Sequence, residues 1–451
     1  MLRRRRAGGA PGRAHLEVTL TSSPSHDRPL PEPPPEAGGP GAPMEADVLW
    51  RRRPRAALAA LAALSLAAFC FVTTENLPVG LLQVISTSLR VPLTSVGFLV
   101  TVYAAVVVVA SAPLTQLTRR LPRRALVCSL LAVFVVATLA SAVAPSYAWL
   151  LCARVVTAMA QAVFWSVVAV TAVSLFGPEV RGRAVAGVLG GGSVSVVLGV
   201  PAGTWLGQQG GWRFPFLVLS CVGVVILLAV AVLLPPYHPA STHAATGSYP
   251  DRRRYRMLIA TTVLVVGGYF TTYTYVTRLL THVSGLPVHD LSAVLLATGV
   301  ADAIGVGASG LAFDRWPRAA GAVPVAGVGA AMLALYALAP HTLAAVALQA
   351  AASLALGAFI IANQNRVLIV APGSTDVASA WMSASFNIGI AGGSLVGGLV
   401  VPSLGARATA LVGGALALSG FAVAARSELG GPPGASGSGG LRRWLSPGRA
   451  A

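Results

Sequence analysis

Two carboxylates stand where an otherwise apolar chain has little reason to carry any. Glu75 lies in Thr74-Glu75-Asn76-Leu77-Pro78-Val79-Gly80-Leu81-Leu82, after an apolar run that starts at Ala56, and Asp302 lies in Thr298-Gly299-Val300-Ala301-Asp302-Ala303-Ile304-Gly305. A carboxylate inside a bilayer costs about 3 kcal/mol by insertion scales and is tolerated where it faces a cavity or a partner. Withdrawal from water favours the neutral acid, so the chemistry such a group offers is reversible protonation. The bland alternative for Glu75 is a carboxylate at the outer helix end, reaching to water. For Asp302 it is a pairing with Arg278 or a backbone group. Arg154, in Leu150-Leu151-Cys152-Ala153-Arg154, faces the interior as an ion-pair partner or a proton relay, because exposure to lipid is costly. No nucleophile, base and orienting group recur together, which argues against an enzyme.

Further polar and aromatic groups fall at inward positions. In the first half these are Asn76, Gln161 and Trp165; in the second they are Tyr269, Tyr273, Asn363, Gln364 and Asn387. Tyr269, Thr272, Tyr273 and Val276 share one helical face, which suits the wall of an amphipathic cavity. Simple interhelical hydrogen bonding competes with that reading, and Tyr275 reads as part of an interfacial aromatic belt.

Elements that bend and pack closely must position these groups. Gly199-Val200-Pro201-Ala202-Gly203-Thr204-Trp205-Leu206-Gly207 puts a glycine at every fourth position around an embedded proline. Three glycines at that spacing bare one stripe of a helix to close backbone approach. The proline removes a backbone hydrogen bond and kinks it. The same spacing returns at Gly389, Gly393 and Gly397, so the chain reads as two related halves.

Composition sets the class. The chain has 451 residues, 55% of them hydrophobic and 10% charged. With a mean hydropathy of +0.74, this is a polytopic membrane protein. All 32 basic residues are Arg. Without Lys there is no ATPase-type phosphate loop and no Schiff-base site, so energy for any transport comes from elsewhere. Cys70, Cys128, Cys152 and Cys221 lie unpaired in apolar runs, and the seven His scatter through tails and short loops. No metal site, disulfide framework or cofactor is expected. The net charge of +18 needs no nucleic acid, because the Arg residues collect in loops on one side.

Residues 1–55 form a Pro-, Gly- and Arg-rich tail, expected to be disordered and without a signal-peptide core. Met44, just before Trp50-Arg51-Arg52-Arg53-Pro54-Arg55, is a plausible alternative start. Apolar stretches near the roughly 20 residues a bilayer needs fall at 56–82, 93–117, 124–143, 147–176, 183–208 and 213–234. Six more follow at 257–280, 289–312, 319–338, 342–366, 377–401 and 406–425. The expected architecture is therefore all-α, twelve transmembrane helices in two pseudo-symmetric six-helix bundles. Residues 56–234 form the first bundle, 235–256 a cytoplasmic linker, 257–425 the second bundle, and 426–451 a disordered cytoplasmic tail. This count puts Arg119, Arg120, Arg123, Arg124, Arg181, Arg183, Arg252, Arg253, Arg254, Arg256, Arg315, Arg318 and Arg366 on one side. Arg90, Arg213 and Arg407 fall on the other, so both termini are expected in the cytoplasm. Arg366 is expected to snorkel from its helix end.

The eighth helix ends in Gly310-Leu311-Ala312-Phe313-Asp314-Arg315-Trp316-Pro317-Arg318, and its first-half counterpart is Pro113-Leu114-Thr115-Gln116-Leu117-Thr118-Arg119-Arg120-Leu121-Pro122-Arg123-Arg124. Together with the kinked fifth helix, these segments resemble the major facilitator superfamily, and specifically its twelve-helix drug:proton antiporters. The fifth-helix motif is matched by Gly199, Pro201, Gly203 and Gly207, and Arg154 resembles the Arg of the fourth-helix motif. The stretch from Arg154 to Trp165, Thr74–Leu82, and Phe386-Asn387-Ile388-Gly389 are similar to the chloramphenicol- and arabinose-type exporters. The first-half loop departs from the family pattern, with Arg119 at the place of the acidic residue, so the resemblance implies a gating acid at Asp314, beside Gly310 and Arg315.

The resemblance implies a monomeric secondary transporter in the cytoplasmic membrane that exports a small amphipathic compound in exchange for protons. Glu75, Asp302 and Arg154 are the expected coupling groups. The alternative is a proton-coupled sugar exporter or importer, against which the small number of interior polar groups argues. A non-transporting sensor or scaffold is a third class, and neither tail carries a recognisable module for it.

Overall fold

The computed structural model describes residues 54–118, 120–176, 180–234, 249–315, 317–372 and 375–429. Among them every regular element is helical. Arg119, Met44, most of both tails and most of the linker lie outside the described residues, while Pro54, Arg55 and residues 426–429, expected in the tails, belong to the terminal helices. Gly310, Asp314 and Arg315 lie in a described helix, but their side chains are outside the description.

The first span, α1 (Pro54–Gly80), does not stop where its apolar run ends. The Leu81 amide still donates to the Leu77 carbonyl at 3.2 Å and the Ile85 amide to Leu81 at 2.9 Å, so α2 (Leu82–Leu89) continues it past the expected boundary at 82. Arg90, in the left-handed region at φ 54°, ends α2 by donating its amide to Ser86. Then come α3 (Leu93–Thr118), α4 (Arg123–Ala142) and α5 (Tyr147–Val173), the last capped by Ser146, whose hydroxyl accepts from the Trp149 amide. The fifth span is composite: α6 (Arg181–Val194), one π-helical turn over Ser195–Gly199, and α7 (Val200–Gly210). Pro201 accounts for the wide turn, since it has no N–H and its ring crowds the preceding carbonyls. The π turn therefore falls just before the proline. α8 (Arg213–Leu233) completes the first half.

In the second half α9 (Arg252–Tyr273), capped by Asp251, and α10 (Val276–His282) are bent by 42° into one broken span. α11 (Leu291–Arg315), α12 (Pro317–Leu338), α13 (Thr342–Val370) and α14 (Thr375–Leu429) follow. Ten helices are long and apolar enough to cross a bilayer, and the bent pair makes an eleventh. α14 is itself two spans, broken at Gly405, whose φ of 82° only glycine adopts readily. The described residues thus contain twelve crossings.

The two glycine stripes do the same job in each half. Gly199, Gly203 and Gly207 of the fifth span lie against Thr73, Leu77 and Leu81 of the first; Gly389, Gly393 and Gly397 of the eleventh lie against Val266, Gly267 and Thr271 of the seventh. Fifth-on-first packing repeats as eleventh-on-seventh, as an internal duplication requires. The end of the molecule bearing Arg90, Arg213 and Arg407 also holds the halves together. There Gln83 donates to the Thr281 hydroxyl at 2.7 Å, and Gln208 donates to the Val288 carbonyl at 2.7 Å.

Tyr275 corrects the belt reading. It is fully buried near the break in the seventh span, its ring seated against Gly97 of α3 and Gly397 and Gly398 of α14. Bare backbone on two other helices leaves room for a ring that sequence position alone assigns to the interface.

Candidate functional site

Because α2 prolongs the first span, Glu75 lies well inside it. The carboxylate accepts from Gln161 Nε2 of α5 at 2.6 Å, and Gln161 Oε1 accepts from the Tyr103 hydroxyl of α3 at 2.6 Å. An ionised carboxylate can only accept. The Gln161 amide is therefore oriented from both sides, its NH2 toward Glu75 and its oxygen toward the phenol. Gln161 and Tyr103 are 2% and 1% exposed, whereas Glu75 is half-buried.

Arg154 lies beside this chain, fully buried, with its guanidinium 4.6 Å from the Tyr103 ring centroid. Among the described residues it makes no ion pair. Instead Nη1 donates to the Thr74 carbonyl at 2.8 Å and Nη2 to the Glu75 carbonyl at 2.9 Å. The local sequence explains the first of these. In an α-helix the Thr74 carbonyl would accept from the amide four residues on, and that residue is Pro78. The guanidinium supplies the missing donor, and its charge rests near Glu75 without forming a salt bridge to it. Glu75 can accordingly gain or lose a proton without breaking an ion pair.

In the second half, Asp302 of α11 is half-buried and makes no hydrogen bond or ion pair among the described residues; the pairing with Arg278 is not formed, since Arg278 contacts His282. Ile304 is 56% exposed, and at about 100° per residue Asp302 points the opposite way, inward. Its carboxylate rests over Gly357 of α13 and lies within electrostatic reach of Tyr269 and Tyr273. Those two rings stack at 5.2 Å. The Tyr269 hydroxyl meets Ser353 at 2.8 Å and accepts from Gln349 Nε2 at 3.4 Å.

The remaining candidates disperse. Asn363 is buried and donates to the Thr262 hydroxyl at 2.7 Å, tying α13 to α9. Gln364 donates to Ser379 at 3.4 Å, while Asn76 and Asn387 each bond a carbonyl one turn back in their own helix. Trp165 covers Gly192 of the fifth span. Thr272 leaves the tyrosine face and donates to the Thr409 carbonyl at 3.1 Å. Arg366, rather than snorkelling free, is half-buried with its guanidinium against Gly321. Tyr103, Gln349 and Ser353 belong to the interior clusters, yet each looks in sequence like one polar residue in an apolar span. Among the described residues no group of His, Cys, Asp and Glu is placed to hold a metal.

Residues 64–374 match the profile of the Major Facilitator Superfamily. The chain is 35% identical over 360 residues to a probable sugar efflux transporter of Mannheimia succiniciproducens, covering 78% of this chain and 89% of that protein. It is 33% identical to the uncharacterized MFS-type transporter YtbD of Bacillus subtilis, covering 82% and 95%. Among solved structures it is similar in fold to a bacterial homolog of the human lysosomal transporter Spinster, in an inward-facing and unoccupied conformation, with a TM-score of 0.59 and 16% identity over 84% of this chain and 94% of that one. The human organic anion transporter MFSD10 (TETRAN) gives a TM-score of 0.59 at 17% identity, covering 82% and 99%.

Proposed function

The chain belongs to the Major Facilitator Superfamily, and from that membership we propose that it exports a small organic molecule in exchange for protons, with Glu75 as the proton-binding group. The observation that carries this reading is the Glu75 carboxyl inside the first span, bonded to Gln161, which Tyr103 orients, with Arg154 close by but bonded to main-chain oxygens. Protonation at Glu75 changes the charge at the centre of the first half and leaves the fold's hydrogen bonds intact. Cargo and proton then compete for one state of the carrier: cargo favours loss of the proton, and protonated Glu75 favours return of the empty carrier. The linkage is reciprocal for binding.

The halves rock about the site by alternating access. The bonds from Gln83 and Gln208 clasp one end in the state described. With the Arg-rich loops in the cytoplasm, as the positive-inside rule directs, that clasped end faces outward. One net charge moving inward down roughly 150 mV, as when one proton is exchanged for a neutral cargo, contributes about 3.5 kcal/mol and sustains a gradient of a few hundredfold. For a singly charged cationic cargo the same one-for-one exchange moves no net charge and is driven by the proton gradient alone. The fifth-helix glycines with Pro201, and Arg154 on the fourth helix, support a place among the drug:proton antiporters. Likeness to a probable sugar efflux transporter favours a second reading, in which the cargo is a hydroxylated compound moved by the same exchange.

The test is proton release from purified, detergent-solubilised protein when a panel of antibiotics, dyes and sugars is added. Wild type is expected to release protons with at least one compound, and Glu75→Gln to release none. Equal release from both would remove Glu75 from the coupling, and no release with any compound would overturn proton exchange.

A further inference from the structure

The two acids sit in differently balanced surroundings, and the second half holds the unbalanced one. Around Asp302 the hydroxyls of Ser353 and Tyr269 are committed to each other and to the main chain, while the Tyr273 hydroxyl makes no hydrogen bond among the described residues. Ser353 donates to the Gln349 carbonyl at 3.1 Å, which leaves the Tyr269 hydroxyl as donor to Ser353, and Gln349 Nε2 turns to the Tyr269 oxygen. Two acceptors are unmet: the Asp302 carboxylate has no partner, and Gln349 Oε1 is a fully buried oxygen without a hydrogen bond. The stacked faces of Tyr269 and Tyr273 lie alongside. No cation within the described second half answers that negative charge, whereas Arg154 stands beside Glu75 in the first. Carboxylate, unmet amide oxygen and tyrosine faces together complement a positively charged nitrogen.

We propose that Asp302, Tyr269, Tyr273 and Gln349 form a recognition site for an organic cation, so that the exported cargo carries a protonated or quaternary amine. The inference rests on the export reading above and adds the charge of the cargo. Asp302 is the counter-ion, the tyrosine pair is the aromatic wall, and Gln349 accepts from an N–H where the amine has one. Gly357 lets α11 pack closely on α13 beside this site, because a side chain there would meet the Asp302 main-chain oxygen and its carboxylate.

The test is equilibrium binding to the purified full-length chain of matched pairs that differ in charge: glucosamine against N-acetylglucosamine, and benzyltrimethylammonium against neopentylbenzene. At least one cation is expected to bind about tenfold more tightly than its neutral partner, the scale of a charge-assisted contact. That preference is expected to vanish in Asp302→Asn and to fall about threefold in Tyr273→Leu, the scale of a cation–π contact. The second variant preserves the test if the first does not fold. If neither pair is discriminated, or if the preference survives in a folded Asp302→Asn, the proposal is overturned. Proton release recorded in the same titrations separates the two readings. Release without charge preference leaves the exporter standing and removes the cation site, and charge preference without release does the reverse.

Discussion

The two halves repeat a scaffold and exchange its chemistry. Glu75 is the twenty-second residue of α1 and Tyr273 the twenty-second of α9; Arg154 is the eighth residue of α5 and Gln349 the eighth of α13. Where the first half has an acid on its first span and a phenol on its second, Tyr103, the second half has a phenol on its first span and an acid on its second, Asp302. Among the described residues the buried cation has no second-half counterpart. The difference teaches that Arg154 answers a local backbone fault. Pro78 strips the Thr74 carbonyl of its donor, whereas α9 contains no proline and needs no guanidinium.

The largest expected effect tests that explanation. Arg154→Met leaves the Thr74 carbonyl without a donor at about 1–3 kcal/mol and also loses the stack on Tyr103, whereas Gln349→Met stays within about 1 kcal/mol because it removes an unsatisfied oxygen. Thermal unfolding in detergent compares them. Pro78→Ala restores the amide and is expected to recover part of the Arg154→Met loss. Strict additivity of the two changes would break the account.

The glycine stripes separate the halves next. Gly393 faces the Gly267 main chain, which cannot move aside, while Gly203 faces the end of the Leu77 side chain, which can. Gly393→Ala is expected to cost about 1–3 kcal/mol. Gly203→Ala is expected to be near neutral, since alanine's helix preference of about 1 kcal/mol offsets the shift of Leu77. Equal melting temperatures for the two variants would show the stripes to be equivalent.

The smallest effect concerns the clasp between halves. Gln83→Leu removes the bond to Thr281, and a net 0.5–1.5 kcal/mol per hydrogen bond shifts the population open at that end by about threefold to tenfold. Distances between spin labels across that end measure the shift, and an unchanged distribution assigns the closure to Tyr275 and its glycine seat instead.

The twelve crossings and the duplicated glycine stripe were legible because each depends on composition or spacing along one helix. The inward setting of Glu75 was legible for the same reason. Its partners were not: Gln161 and Tyr103 meet it only through packing between α1, α3 and α5, and no local pattern records that. Pro78 was visible, but its consequence appears at Thr74, one turn earlier and on another residue's oxygen. Tyr275 was misplaced because an aromatic near a span end reads as interfacial unless the bare glycines of distant helices are known to receive it. Asn363 carried the polar signature of a cavity residue and spends it on Thr262.

The grip of Arg154 on main-chain oxygens has an evolutionary corollary. Every residue type has the carbonyls that Arg154 holds, so this contact does not depend on which side chain position 75 carries. Glutamine there retains the bond with Gln161 and loses only the exchangeable proton. If Glu75 is the coupling group, as proposed above, one substitution would turn a carrier that concentrates its cargo into a facilitator that lets it run downhill. Energised and passive carriers would be a single step apart on this scaffold.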